Sequence, residues 1–463
     1  MSSGFHPVSG SASEEPDALN WDWADRGTPH VLFSKDEPLP FQEGDILGHG
    51  VNGPVIQTVI KGVRVALKRI YCRQRVKQKD LQEIEIIRKL KHPHIIQLVG
   101  SYTRGHYLGI LLYPVATCDL ATFLEDIDFL QILGKYLSDP PRNSSSEIKE
   151  RMSRCATISR FKIDQQDYFT TLSGVTNAAR ARLWESYGCI TSAMLYLHKN
   201  SIRHKDLKPL NILLSHNGLW ITDFGHSTDF SEFSDSATTD GERGTIKYCA
   251  PEVAAFERSG RSADVFSLGC IFFEMSALSC FTLEDIRGFR PSMDRSFHNN
   301  LHNIFPVFDT FGSTDLNHLT MSLVKRMLSR DPTERPDLAS ISRTLNLFQA
   351  FSTVESDTFA SIRCPHHKSP PPVDSRHEEC PVEELLITIG STCHEEIGEV
   401  IIDGEKHKKY PIVVFVGCTS VNYIDKVIFF QVSINGFSLN LTLPFILHAS
   451  HILKYLDHLE HIF

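Results

Sequence analysis

A chain of 463 residues with 41% hydrophobic side chains can bury a large core, which excludes a wholly disordered protein and leaves room for one large two-lobed domain with extensions. A formal charge of -9 gives no basic footprint for nucleic acid, and eleven scattered cysteines fit a reducing compartment better than a disulfide framework. Residues 1–20 are polar and acidic with no apolar centre, so no secretory signal is expected and the chain is placed inside a cell, in cytoplasm or nucleus.

Residues 1–38 are rich in Ser, Glu, Asp and Pro and read as a disordered tail. An alternating apolar pattern starts at Asp45-Ile46-Leu47-Gly48, and residues 55–59 and 63–67 read as two strands joined by a hairpin turn at Lys61-Gly62. Leu81, Ile84, Ile87 and Leu90 recur at helical spacing, and the helix is expected to stop before His92-Pro93, because proline disfavours helical geometry in the preceding residue. Residues 95–99 and 107–112 read as further strands. The stretch 126–178, with Asp139-Pro140-Pro141 and Ser144-Ser145-Ser146, reads as a loose insertion with room for short helices. An amphipathic helix is expected over 178–199, with Leu183, Tyr187, Ile190, Met194 and Leu197 on one face, and helices dominate 262–348.

Chemistry concentrates at His204-Lys205-Asp206-Leu207-Lys208-Pro209-Leu210-Asn211, followed by Asp223-Phe224-Gly225. A carboxylate, an ammonium and an amide on one loop, with a second carboxylate on the next, are what phosphoryl transfer needs. Upstream, Gly48, Gly50 and Gly53 with Val55 form a glycine-rich loop able to bring backbone N–H groups close to phosphates, although Pro54 lacks such a donor. Val65-Ala66-Leu67-Lys68 ends the second strand. Downstream lie Gly244-Thr245-Ile246-Lys247-Tyr248-Cys249-Ala250-Pro251-Glu252, the stretch 264–269 beginning at Asp264, and Asp331-Pro332-Thr333-Glu334-Arg335-Pro336.

These motifs, in this order, resemble those of eukaryotic protein kinases, and Lys208 with Thr245 resembles the serine/threonine branch; the style of 114–120 is similar to fungal members. The resemblance covers about residues 40–348. It implies an α+β, bilobal kinase fold over 39–348, with a small β-rich lobe at about 39–112 carrying one key helix, and a larger, mostly helical lobe at about 116–348. Residues 349–463 are then an extension of unknown fold, partly disordered.

The resemblance also implies ATP and Mg2+ as cofactors and a protein substrate with a Ser/Thr acceptor. ATP would be met by Gly48, Gly50, Gly53, Val55, Ala66, Lys68, Leu112, Tyr113 and Val115, with Glu83, rather than Glu85, holding Lys68. Asp119 would reach the ribose or cap the next helix. Asp206 and Lys208 would be catalytic, and Asn211 and Asp223 would hold Mg2+. His204, Phe224, Gly225, Thr245, Glu252, Asp264 and Arg335 would brace the loops and scaffold, with Glu252 paired to Arg335.

Lys205 departs from the family, where Arg grips a phosphorylated loop residue in bidentate fashion. Either Lys205 pairs with a loop carboxylate and control by phosphorylation is weak, or it binds phosphate together with Arg203 or Arg243. The alternative to an enzyme is a kinase-shaped scaffold with little catalysis.

In the extension, Cys364, His366, His367, Cys380, Cys393 and His394 match no compact zinc frame. The stretch 427–449 is apolar, but its Gln431, Ser433, Asn435, Ser438, Asn440 and His448 argue against a membrane span. The oligomeric state is not specified.

Overall fold

The computed structural model describes residues 22–50, 53–73, 76, 78–136, 146–163, 168–231, 244–311 and 316–352, together with four strands between 398 and 444. The first lobe is a six-stranded sheet built from β1 (His30–Phe33), β2 (Glu43–Gly50), β3 (Gly53–Ile60), β4 (Val63–Tyr71), β5 (Gln97–Arg104) and β6 (Tyr107–Tyr113), in the order β1-β5-β6-β4-β3-β2. One helix, α1 (Gln78–Lys89), belongs to this lobe. The β3–β4 hairpin turns at Lys61-Gly62, both with positive φ (49° and 82°), which is the backbone twist that two-residue hairpins favour. Ile84, Ile86, Ile87 and Leu90 are buried on one side of α1, while Glu85 on the other side is exposed.

The expected tail requires a correction, because residues 22–38 are part of the fold. Strand β1 pairs in parallel with β5, and Trp23, 1% exposed, packs with Phe33, Phe41 and Tyr102 at centroid distances of about 6 Å. Gly100 makes this possible: a Cβ there would lie 2.2 Å from the Trp23 indole nitrogen. Composition pointed to a tail because polar residues outnumber apolar ones in this segment, yet a few large rings suffice to dock it.

The second lobe contains β7 (Cys118–Asp119), α2 (Leu120–Tyr136), α3 (Ser146–Ser159), α4 (Tyr168–Lys199), β8 (Ile202–Arg203), β9 (Ile212–Ser215), β10 (Gly218–Ile221), β11 (Thr228–Asp229), α5 (Pro251–Ala254), α6 (Arg261–Ala277), α7 (Leu283–Gly288), α8 (Leu301–Phe308), α9 (Leu316–Met327) and α10 (Leu338–Ser352). Small sheets β10-β9-β7 and β11-β8 flank the loop 204–211 in sequence.

The insertion at 126–178, expected to be loose with room for short helices, is packed where it is described. Most of its described residues are helical: α2 runs through 126–136, α3 covers Ser146–Ser159, and α4 begins at 168. Ile148, Met152, Cys155 and Ala156 recur at helical spacing and are buried. Helix α3 is fastened to α2 through Asp126, fully buried, which accepts from Arg151 Nη1 at 3.0 Å and from Arg154 Nε and Nη2 at 2.6 and 2.8 Å.

In the extension, β12 (Gly398–Ile402) pairs with β13 (Glu405–Lys409), and β14 (Val427–Ile434) with β15 (Phe437–Pro444), both antiparallel. The apolar stretch at 427–449 therefore forms a hairpin over its described part. Among the described residues no helix is long and apolar enough to cross a membrane. The Cys and His residues between 364 and 394 lie outside the described residues.

Candidate active site

Strand pairing gathers the expected nucleotide residues onto one surface. Gly48 stands opposite Val55, Gly50 opposite Gly53, Val55 opposite Lys68, and Ala66 opposite Leu112. Tyr113 ends β6 and Val115 follows on the strap to the second lobe, both half-buried.

Lys68 is the electrostatic centre of this surface. Its Nζ lies 2.8 and 2.9 Å from the two Glu83 carboxylate oxygens and 2.7 Å from Asp223 Oδ1. Burial alone would depress the ammonium, but the Glu83 and Asp223 carboxylates outweigh it and hold its pKa above the ordinary value. Asp223 shows the mirror image: burial would raise its carboxyl, and Lys68 keeps it lowered.

The loop 204–211 closes around Asp206. Lys208 Nζ donates to Asp206 Oδ2 at 2.7 Å and to Thr245 Oγ1 at 2.8 Å, while the Thr245 backbone N–H donates to Asp206 Oδ1 at 2.6 Å. Against the cost of burial, these contacts hold the Asp206 pKa below its ordinary value. The carboxylate is thus ionised and aimed from both sides. Asn211 Nδ2 donates to the Asp206 carbonyl at 2.8 Å, which turns the amide oxygen of Asn211 the other way.

Gly244, a residue the motif reading gave no role, sets how closely this ring can close. A Cβ there would fall 2.5 Å from the Lys205 carbonyl and 2.7 Å from Asp206 Oδ1.

Below the loop, Asp264 takes the backbone N–H groups of His204 and Lys205, each at 2.9 Å, and His198 Nε2 lies 2.9 Å from the same carboxylate. His198 was not singled out in the sequence, since a histidine at a helix end carries no pattern of its own. The His204 Nε2 reaches the Thr222 carbonyl at 3.1 Å, and the His204 ring stands 5.2 Å from that of Phe224, which is fully buried. Lys205 and Asp223 both carry positive φ (66° and 65°), a strained backbone that the Asp264 and Lys68 contacts sustain. Gly225 sits where a Cβ would come within 3.6 Å of both Asp223 and Glu83. Deeper still, Arg335 forks onto Glu252 at 2.7 and 2.8 Å.

The contacts of Asp119 and Lys205 bear on roles the sequence left open. Asp119 Oδ1 accepts the Thr122 N–H at 2.8 Å and its Oδ2 the Thr122 hydroxyl at 3.2 Å, so it caps α2. Lys205 Nζ lies 3.4 Å from the Thr228 hydroxyl, while the neighbouring carboxylate Asp229 is paired with Lys89 at 2.7 Å. The remaining loop carboxylates, Glu232, Asp235 and Asp240, lie outside the described residues.

The donor set facing the cleft is an amide (Asn211) and a carboxylate (Asp223). Hard oxygen donors of this kind fit Mg2+ and not a soft metal. Among the described residues no group of three or more His, Cys, Asp or Glu side chains is arranged to hold a metal.

A sheet lobe and a helical lobe meeting at paired Lys-Glu and Asp-Lys-Thr clusters define a protein kinase domain. The family model for protein tyrosine and serine/threonine kinases matches residues 41–345, and the chain belongs to that family. It is 25% identical over 311 residues to the interferon-induced, double-stranded RNA-activated protein kinase of Mus musculus, covering 66% of this chain and 50% of the relative. It is 26% identical over 355 residues to SNF1-related protein kinase catalytic subunit alpha KIN12 of Arabidopsis thaliana (75% and 56%). With serine/threonine-protein kinase VIK, also of Arabidopsis thaliana, it shares 27% identity over 248 residues (51% and 46%). The chain spans about half the length of these curated relatives.

Proposed function

We propose that this chain transfers the γ-phosphoryl group of ATP to Ser/Thr hydroxyls of protein substrates, with Mg2+. The observation that carries the reading is the closed ring Lys208–Asp206–Thr245 around one ionised carboxylate, beside a Lys68 already paired with Glu83 and Asp223.

Asp206 orients the acceptor hydroxyl and finally takes its proton as the hydroxyl oxygen bonds to phosphorus and the bond to the β-phosphate oxygen breaks. Lys208 offsets charge on the transferring group, and Lys68, held by Glu83, meets the α- and β-phosphates. Asn211 and Asp223 would hold Mg2+, which would supply positive charge against the phosphates. Thr245 ties the acceptor segment to Asp206, which supports the Ser/Thr assignment. Reaction inside the cell, in cytoplasm or nucleus, accords with the seven described cysteines, none of which forms a disulfide.

Radiolabelled transfer from ATP and Mg2+ to a generic acceptor protein tests this, comparing wild type with Asp206→Asn. Strong labelling by the wild type alone is expected. Equal background from both proteins would leave a kinase-shaped binding module.

A further inference from the structure

We propose that Cys249 is a redox site, where a hydroperoxide converts the thiol to a sulfenic acid and so halts transfer. The halt, though not the oxidation, rests on the phosphotransfer reading above. Cys249 is paired with an imidazole. His298 Nδ1 lies 3.2 Å from the Cys249 carbonyl and 3.7 Å from Cys249 Sγ. A carbonyl only accepts, so Nδ1 carries the hydrogen and shares it with the sulfur. The thiolate is the nucleophilic form of cysteine, and a donor aimed at the sulfur favours it. The imidazole is itself braced. Its Nε2 lies 3.5 Å from the Ser296 hydroxyl, and Arg330 donates to the His298 carbonyl at 3.3 Å.

The pair is reachable by a small molecule. Cys249 is only 7% exposed, yet with His298 and Arg330 it lines a cavity of about 590 Å³. Two carboxylates on the same wall are already engaged. Glu252 is forked by Arg335, and Asp294 accepts from the Ser292 hydroxyl, the Ser296 N–H and Asn299 at 2.8 to 3.0 Å. Other described cysteines are placed differently. Cys155 and Cys270 are fully buried, and burial pushes both thiols up, Cys155 to about 12. Cys280 is exposed, with its sulfur 3.5 Å from the Ser279 hydroxyl.

In the reaction, Cys249 Sγ attacks one peroxide oxygen. The S–O bond forms as the O–O bond breaks, and the departing oxygen takes up the proton shed by the thiol. Sulfur is oxidised, the hydroperoxide is reduced to water or an alcohol, and a thiol reductant restores the cysteine. The added oxygen enters a packed corner. Ser267 donates to the Tyr248 carbonyl at 2.8 Å, and the Phe297 N–H donates to the Lys247 carbonyl at 3.0 Å. Close-packed interiors do not absorb an extra heavy atom without displacement. Pushing His298 and Cys249 apart shifts the segment whose Thr245 is bonded to both Asp206 and Lys208.

Treating the purified chain with hydrogen peroxide, trapping sulfenic acid with dimedone and locating the tag by peptide mass spectrometry tests the site. Radiolabelled transfer from ATP with Mg2+ is followed in a parallel sample without the trap. Cys249 should be tagged about tenfold or more faster than exposed Cys280. Transfer should fall as Cys249 is oxidised and return with dithiothreitol. Cys249→Ala and Cys249→Ser should transfer equally before and after peroxide. His298→Gln should slow tagging at Cys249, whereas a merely structural role for the ring would open the segment and speed it. No tag at Cys249, or one no faster than at Cys280, overturns the redox site. Tagging without loss of transfer, or equal loss in both Cys249 variants, overturns the halt. A wild type that never transfers phosphate overturns the phosphotransfer reading and the halt with it, while the tag still decides the site.

Discussion

Two ion-pair clusters lie on either side of the loop 204–211, built from the same chemistry and put to opposite uses. In the cleft, Lys68 bridges Glu83 and Asp223, and the Asp223 side chain keeps 26% exposure. Beneath it, Arg335 grips Glu252 with side-chain exposures of 0% and 5%, and its other donors go to the carbonyls of Ser329, Ser262 and Arg330. The lower pair has no valence left to offer a ligand. The upper one joins three elements from two lobes and borders open space, so a phosphate oxygen can share its cation. What separates a site from a scaffold here is the access left to the pair, not the pair itself.

Substitutions on each side should break the molecule in different ways. The largest expected effect is on rate: Asp206→Asn keeps the shape of the ring but removes the ionised base, and kcat should fall about 10²- to 10⁴-fold. Its melting temperature should stay near that of the wild type. Arg335→Ala should do the reverse. Stranding a buried carboxylate costs about 3–5 kcal/mol, which for a domain of this size lowers the melting temperature by on the order of 10 °C. Calorimetry beside single-turnover rates would decide. A stable Arg335→Ala protein would show that the lower pair is no scaffold.

A comparable stability effect is expected far from both clusters. Trp23→Ala should cost about 3 kcal/mol by emptying the slot that Gly100 leaves. Hydrogen exchange should accelerate along β5, while the KM for ATP holds. If residues 22–38 were a tail, neither quantity would move.

Acid exposes the clusters in a graded way. Asp206, Asp223 and Asp264 all have pKa values lowered in the folded protein from an ordinary 3.8. Between their folded values and 3.8 the unfolded chain binds more protons, so this stabilisation is complete above 3.8 and is lost as pH falls through the folded values. Lys68, raised above 10.5, contributes fully below that pH and loses its contribution as pH climbs past its folded value. Asp223→Asn should therefore flatten the acid limb of a stability-versus-pH curve and leave pH 5 to 9 level. An unchanged acid limb would show that the Lys68–Asp223 pair is not formed in solution.

The clustering of the candidate site was legible in the sequence because its residues sit within short loops where spacing fixes geometry. Asp206, Lys208 and Asn211 share one turn of chain, and Thr245 belongs to a motif of its own. Even Glu83, rather than Glu85, followed from the family resemblance, and it pairs with Lys68. What escaped reading depends on contacts between distant segments. Trp23 is an ordinary exposed-looking residue until Gly100, far along the chain, makes room for it. Helix α3 was hidden by the Pro and Ser residues before it, although its apolar period at 148, 152, 155 and 156 was there to be found. His198 gains meaning only from Asp264 on another helix.

Asp119 offers the smallest and most discriminating test, because sequence left two roles open and the contacts favour one. Both its carboxylate oxygens turn toward Thr122, satisfying an otherwise orphaned N–H in the first turn of α2. Asp119→Ala should then cost about 1 kcal/mol of stability, as loss of an N-cap does. The KM for ATP should change little, and Asp119→Ser, which can still cap, should recover most of the stability. A ribose contact predicts another pattern: a raised KM for ATP in both variants, with the melting temperature unmoved. Because α2 starts directly beneath the strap at Tyr113 and Val115, an intermediate result in which both quantities shift would mean that the cap holds the strap's lower end in place.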